Sequence, residues 1–320
     1  MPVLAAEGIT RRYGDLVAVD ELSIEARTGG VLAVIGPNGA GKTTTMAMLA
    51  GTTRPDSGQV LWNGVPASPQ LLRRCVGLAP QGLEVWPRLT CSEQLRFLAD
   101  LWGIPRVEAR RRSDSLLERV GLSAKRDAQA RTLSGGMQRR LNLALALVGE
   151  PDVVVLDEPG AGLDPQSRVL VRDLIAELAT RKAVIVSSHD LAEVERLADQ
   201  IVIIDHGRMI AGGTERELRS RHGLGQRVEF LTGVGAAATL VAALRPLCPE
   251  VMAPDVPAAG AGLADQAGTL VACQLPADGP PLAQLMTVAG DAGVPLLSVH
   301  TRDASLEDVF LQLTGRSLRE

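Results

Sequence analysis

The stretch Gly36-Pro37-Asn38-Gly39-Ala40-Gly41-Lys42-Thr43-Thr44 constrains the fold more than any other part of these 320 residues. It fits G-x-x-x-x-G-K-[ST] and follows the apolar run Val31 to Ile35, which reads as a buried strand. The residues after it, Thr43 to Ala50, suit a helix whose N-terminal N–H groups and positive dipole end point back at the loop. Strand, glycine loop and helix in that order make a cradle for phosphate oxygens. Gly36, Gly39 and Gly41 keep side chains clear of it, Lys42 is expected to reach the β- and γ-phosphates, and the Thr43 hydroxyl to sit on Mg²⁺. The glycine spacing of a dinucleotide-binding loop is not kept, which discounts that fold.

A second chemical cluster follows downstream. Asp152 to Leu156 is a continuous apolar run of the kind found in central parallel strands, and it ends in Asp157-Glu158. In doubly wound sheets ligands lie at the carboxyl ends of strands, so Asp157 is expected to hold Mg²⁺ and Glu158 to face the attacking water. His189 lies just beyond the next strand, Ala183 to Ser187, on the same rim. Leu133-Ser134-Gly135-Gly136 opens a helix carrying Leu141, Leu145 and Val148 on one face. Its serine and bare backbone fit an anion, and they fit an ordinary serine cap equally well. Tyr13 is open to two readings as well, a purine-stacking aromatic or a half-buried surface side chain, and Gln81 after the strand ending at Pro80 says little alone.

The length fits two domains. Strands lead into the cradle, and residues 91 to 150 change to helical spacings, with Leu95, Leu98 and Leu101 and then Leu116, Leu117 and Val120. The charge run Arg106 to Arg112 reads as a solvated helix face. Asp164-Pro165 starts a helix, the carboxylate as cap, carrying Val169, Leu170, Leu174 and Leu178. A boundary is expected near residue 222, giving a first domain over 1–222, with a helical insertion at about 90–150, and a second over 223–320. The second reads as a smaller α+β unit: strands Arg227 to Leu231, Thr269 to Leu275 and Val294 to Val299, helices Ala236 to Leu247, Leu282 to Ala289 and Leu306 to Leu313, and a loop from Ala253 to Gly268. It shows no catalytic cluster. A formal charge of -4 and 2% aromatic residues give no attraction for nucleic acid. Cys75, Cys91, Cys248 and Cys273 lack C-x-x-C spacing and read as buried thiols, and His206, His222 and His300 as structural or solvated. No apolar run nears the ~20 residues of a membrane span, and the start lacks a secretory pattern, so the expected compartment is the cytoplasm.

Together these motifs resemble the ATP-binding subunit of an ABC transporter over residues 3 to 220. The resemblance implies an α/β P-loop NTPase ABC cassette, a mixed sheet core with a helical insertion, binding ATP and Mg²⁺. It makes Tyr13 the adenine-stacking aromatic, Gly36 to Thr44 the Walker A loop, and Leu133 to Met137 the signature. Glu158 becomes the general base, Gly162-Leu163-Asp164 the D-loop, and His189 the contact to the γ-phosphate. Gln81 joins the metal to a transmembrane partner. Met137 stands where glutamine is usual and Gly160 where threonine is frequent, and neither removes a catalytic group. The form Leu-Ser-Gly-Gly-Met-Gln-Arg-Arg and the tail Ser305 to Gly315 are similar to exporter ATPases of the ABC-2, daunorubicin type. That subgroup implies a separate permease, a homodimer in the ATP-bound state, a place on the inner face of the cell membrane through the permease, and drug, lipid or polysaccharide-like cargo. Two alternatives are weighed: a soluble ABC ATPase acting on ribosomes or DNA, which would bring fused cassettes, a coiled coil or basic arms, and a non-transport regulator, against which Glu158 speaks.

Overall fold

Two long strands, β1 (Leu4–Tyr13) and β2 (Leu16–Ala26), form a hairpin closed by Gly14, whose φ of 59° suits a tight turn. The turn residues between Ala26 and Gly30 lead into β3 (Gly30–Ile35), and α1 (Lys42–Leu49) follows the glycine loop. Next come β4 (Ser57–Trp62), β5 (Val65–Pro66) and α2 (Pro69–Cys75), capped by the Ser68 hydroxyl, then β6 (Val76–Ala79). This computed structural model describes residues 3–221, 224–233, 235–248, 251–252, 268–276 and 279–314. Its chain divides into two compact units, the first ending at Glu215 and the second beginning at Arg216.

The helices α3 (Cys91–Leu101), α4 (Arg106–Arg119) and α5 (Gly135–Leu147) interrupt the sheet. Alternation then resumes with β7 (Val153–Asp157), α6 (Pro165–Ala179), β8 (Ala183–Ser188), α7 (Leu191–Leu197), β9 (Gln200–Asp205) and β10 (Arg208–Gly213). Six strands form one sheet in the order β10-β9-β3-β8-β7-β6, all parallel except the edge strand β10. Parallel strands are covered on both faces, which is why Val31–Ile35 and Val153–Leu156 are unbroken apolar runs, each residue at most 5% exposed. The antiparallel sheet β2-β1-β4-β5 stands beside it, and α1 packs against both β1 and β7 through a core that contains Met46, Met48 and Leu49. The register sets Ser187 of β8 opposite Val34 of β3 and Asp157 of β7, so the carboxyl ends of three strands meet at one level.

Two helix faces differ from the sequence expectation. In α3 the buried stripe is Cys91, Leu95 and Ala99, whereas Leu101 is 69% exposed. Gln94 takes a core position there because its amide holds the carbonyls of Trp86 and Leu89. In α6 the stripe is Val171, Leu174, Ile175 and Leu178, an i, i+3, i+4, i+7 set, and Val169 is 45% exposed. Cys75 also departs from the expected burial, being partly exposed at the end of α2, while Cys91, Cys248 and Cys273 are buried and all four are free thiols.

The second unit begins inside α8 (Glu215–Arg221), one residue from its start, followed by β11 (Leu224–Gly233), α9 (Ala237–Leu244), β12 (Val251–Met252), β13 (Gly268–Pro276), α10 (Leu282–Asp291), β14 (Leu296–Asp303) and α11 (Leu306–Thr314). Its sheet, β12-β13-β11-β14, is antiparallel throughout, so β11 to β14 with α9 and α10 make a split βαβ of the ferredoxin-like kind. Val228, Phe230, Leu240, Val271, Cys273 and Leu285 form its core. Asp308, 7% exposed, accepts from Arg227 at 3.0 Å and Arg302 at 2.7 Å and from the Ser305 N–H and hydroxyl, tying α11 to β11 and β14. The expectations for His222, for the stretch from Ala253 to residue 267 and for Gly315 fall outside the described residues.

Candidate functional site

The glycine loop makes its cradle by excluding side chains. A Cβ on Gly36 would lie 2.2 Å from the Ile204 carbonyl oxygen, and one on Gly41, whose φ is 99°, would lie 2.3 Å from that of Ala18. Pro37 and Ala40 are buried behind the loop, and Asn38 and Gly39 stand at its exposed rim. Lys42, 8% exposed, folds back so that Nζ donates to the carbonyls of Gly36 at 2.7 Å and Pro37 at 3.1 Å. Burial lowers its pKa, an effect opposed by the charges of Glu158 and Asp157.

A cleft of about 270 Å³ opens above this loop. It is lined by Tyr13, Asn38, Gly39, Gly41, Lys42, Thr43, Thr44, Gln81, Asp157 and Glu158, together with Leu16 and Ala18. Tyr13 is 48% exposed, and the Arg11 guanidinium carbon lies 5.0 Å from its ring centroid. The two carboxylates arrive from β7. Asp157 is 2% exposed; its Oδ1 accepts from the Ser187 hydroxyl, and its Oδ2 has no hydrogen-bond partner among the described residues. A buried carboxylate oxygen left bare in a cleft that Thr43 also lines suits a hard cation bound by oxygens, so Thr43 and Asp157 fit Mg²⁺.

Glu158, 6% exposed, adopts a φ of 54°, a left-handed conformation that turns it out of the strand. Its N–H donates to Ser187 Oγ at 2.9 Å, its carbonyl accepts from the Ala161 N–H at 3.2 Å and from Arg139 at 3.1 Å, and its Oε2 meets His189 Nδ1 at 2.6 Å. His189 therefore reaches the site through Glu158. Sequence reasoning missed two residues here. Ser187 binds both carboxylate residues from the end of its strand run, and Arg139 joins Glu158 to the carbonyl of Gln81 at 3.2 Å. The rim position of Ser187, two residues before His189, was the available signal for the first.

Ser134, Gly135, Gly136 and Asp164 do not line this cleft. Ser134 is exposed and caps α5, accepting from the Met137 N–H at 3.3 Å, and the site of a Gly135 Cβ faces open space. Asp164 caps α6, accepting from the Ser167 N–H at 3.0 Å, and hydrogen bonding to Ser167 lowers its pKa. Glu193 of α7 lies behind the site. Its carboxylate fills the place of a Gly160 side chain, 2.8 Å from an ideal Cβ, and burial raises its pKa.

The sequence pattern of the family described as ABC transporter matches residues 19–161. Across the whole chain, the protein is 40% identical over 324 residues to Nod factor export ATP-binding protein I of Ralstonia nicotianae, covering 100% of this chain and 96% of that one. It is 35% identical to linearmycin resistance ATP-binding protein LnrL of Bacillus subtilis, covering 99% and 100%. Among solved structures, one described as the ATP-binding subunit of an ABC transporter superposes with a TM-score of 0.64 at 29% identity, over 69% of this chain and 93% of the other. The structure of cbiO1 from Clostridium perfringens, described as part of the ABC transporter complex cbiONQ, gives 0.61 at 29%, over 69% and 92%.

Proposed function

The chain belongs to the ABC transporter family as an export ATPase that hydrolyses ATP to drive transport, and from that premise we propose how its residues divide the work. The observation that carries the reading is the buried Glu158 carboxylate, bonded to His189 and facing the cleft above the Lys42 loop. Glu158 takes the proton of the attacking water as general base, and His189 fixes its orientation and contacts the γ-phosphate. The loop N–H groups from Asn38 to Thr44 and the start of α1 hold the phosphates, Lys42 exchanges its carbonyl partners for phosphate oxygens, and Tyr13 stacks on the adenine. Thr43, Asp157 and Gln81 would hold Mg²⁺, which would supply neutralisation of the phosphate charge.

Ser134, Gly135, Gly136 and Asp164 are assigned to the nucleotide of a second copy, which accounts for a capped, exposed helix start away from the chain's own cleft. Among the described residues no helix is long and apolar enough to cross a membrane, so transport needs a separate permease, to which this subunit docks on the inner face. Cargo of drug, lipid or polysaccharide-like chemistry accords with the export and resistance names of the relatives. Those names, with the charge of -4, disfavour the ribosome or DNA alternative. For the functional division we keep the boundary near residue 222, with residues 1–222 as the ATP-binding domain and 223–320 as an accessory one, although the compact units divide a few residues earlier, between Glu215 and Arg216, so that α8 groups with the second.

The test is Glu158→Gln, which keeps size and leaves Asp157 in place. ATP binding should persist, and steady-state hydrolysis should fall by about 100-fold or more. Near-normal turnover would refute the base assignment.

A further inference from the structure

We propose that Arg139 is a positioning residue that ties Glu158 to Gln81 and to the helix starting at Ser134. The proposal rests on the reading of Glu158 as the base. Glu158 holds a left-handed backbone conformation that a residue with a side chain adopts only when its neighbours impose it. Its N–H is fixed by Ser187 of β8, its carboxylate by His189, and its carbonyl by the N–H of Ala161 within its own turn. Arg139 adds a fourth hold from a different element, α5 of the helical insertion.

The same guanidinium donates its other Nη to the carbonyl of Gln81, and one turn further along α5 the Asn142 amide donates to the carbonyl of Pro80 at 3.1 Å. The helix thus grips two successive carbonyls of the segment that bears Gln81, together with the turn that bears Glu158. A planar fork with two donors at fixed separation suits two carbonyls just beyond the ends of two different strands, which a point-like ammonium does not match. Any displacement of α5, whose N-terminus is Ser134, then moves the base and the Gln81 segment as one. Arg139 does not line the cleft, and its effect passes through the placement of Glu158.

The experiment uses the full chain with Arg139→Met and Arg139→Lys, measuring ATP affinity by direct titration and hydrolysis in a single turnover with excess protein. Arg139→Met should slow the chemical step by about 10- to 100-fold, the loss expected when a catalytic group is misplaced by about 1 Å, while ATP affinity changes by less than about 2-fold. Arg139→Lys should recover part of that rate, and it serves as the reading if the methionine variant does not fold by circular dichroism. Combined with Glu158→Gln, whose residual hydrolysis is followed over hours, Arg139→Met should add no further loss. Unchanged hydrolysis in both variants, a rate loss matched by equal loss of ATP binding, or a multiplicative loss on the Glu158→Gln background would each overturn the proposal. Failure of the base reading shows separately, as near-normal turnover in Glu158→Gln alone.

Discussion

Ser187 shows how much of the site hangs on one small side chain. Its hydroxyl donates to Asp157 Oδ1 and accepts the N–H of Glu158, and the residue is 0% exposed. Ser187→Ala removes both bonds at once and leaves a buried N–H and a buried carboxylate oxygen short of partners, each costing about 1 to 3 kcal/mol. The expected outcome is a loss of about 2 kcal/mol or more in denaturant unfolding, with hydrolysis falling more than ATP affinity, because Glu158 loses its anchor while the Lys42 loop is intact. Equal loss of the two would count against that division. The cradle and the carboxylate pair were legible in the sequence because their chemistry is packed into consecutive residues. Ser187 and Arg139 were not, since their partners lie 30 and 19 residues away and only the parallel register and the α5 packing bring them together.

Among elements, α11 is tied to its sheet through one ionised group. Asp308 is pushed up by burial but brought below its ordinary value by bonds from the Ser305 N–H, Arg302 and the Ser305 hydroxyl. A carboxylate with a depressed folded pKa contributes stability above its unfolded value of about 4, and that contribution is lost as pH falls through the folded value. The second unit should therefore lose stability on acidification below about pH 4, and Asp308→Asn should flatten that slope and cost about 2 kcal/mol at pH 7, somewhat less than a fully buried pair because Arg302 is half-exposed. Chemical denaturation at several pH values, followed by amide exchange on β11 and α11, reads both effects. The strands were easy to read because parallel burial writes continuous apolar runs. The faces of α3 and α6 were not: Leu101 and Val169 continue an apolar spacing past the point where packing ends, and Gln94 enters a core position through bonds to carbonyls that no periodicity records. The short β12 of two residues escaped for the same reason, its place in the sheet being set by its pairing with β13.

At the scale of the whole molecule, each unit carries a core of its own, one around Met46, Met48 and Val155 and one around Phe230, Leu240 and Val271. Truncation after Arg221 should leave a folded first unit that binds ATP with unchanged affinity, checked by thermal unfolding and nucleotide titration; insoluble or non-binding protein would contradict it. If Ser134 serves the nucleotide of a second copy, mixing Lys42→Ala with Ser134→Arg chains should restore part of the hydrolysis that each lacks alone, since mixed pairs hold one site with both elements intact. No recovery under confirmed subunit exchange, with a chain that stays monomeric in ATP on the Glu158→Gln background, would exclude the shared site. The lysine of the cradle bears on how such a machine resets. With Nζ bonded to the carbonyls of Gly36 and Pro37, the loop is braced by its own lysine, so entry of a nucleotide calls for a change of partners at one side chain and not for the refolding of a segment. Rebinding should then follow a single exponential whose rate rises linearly with ATP concentration and slows with added salt, the signature of an encounter limited by diffusion and charge instead of by loop ordering.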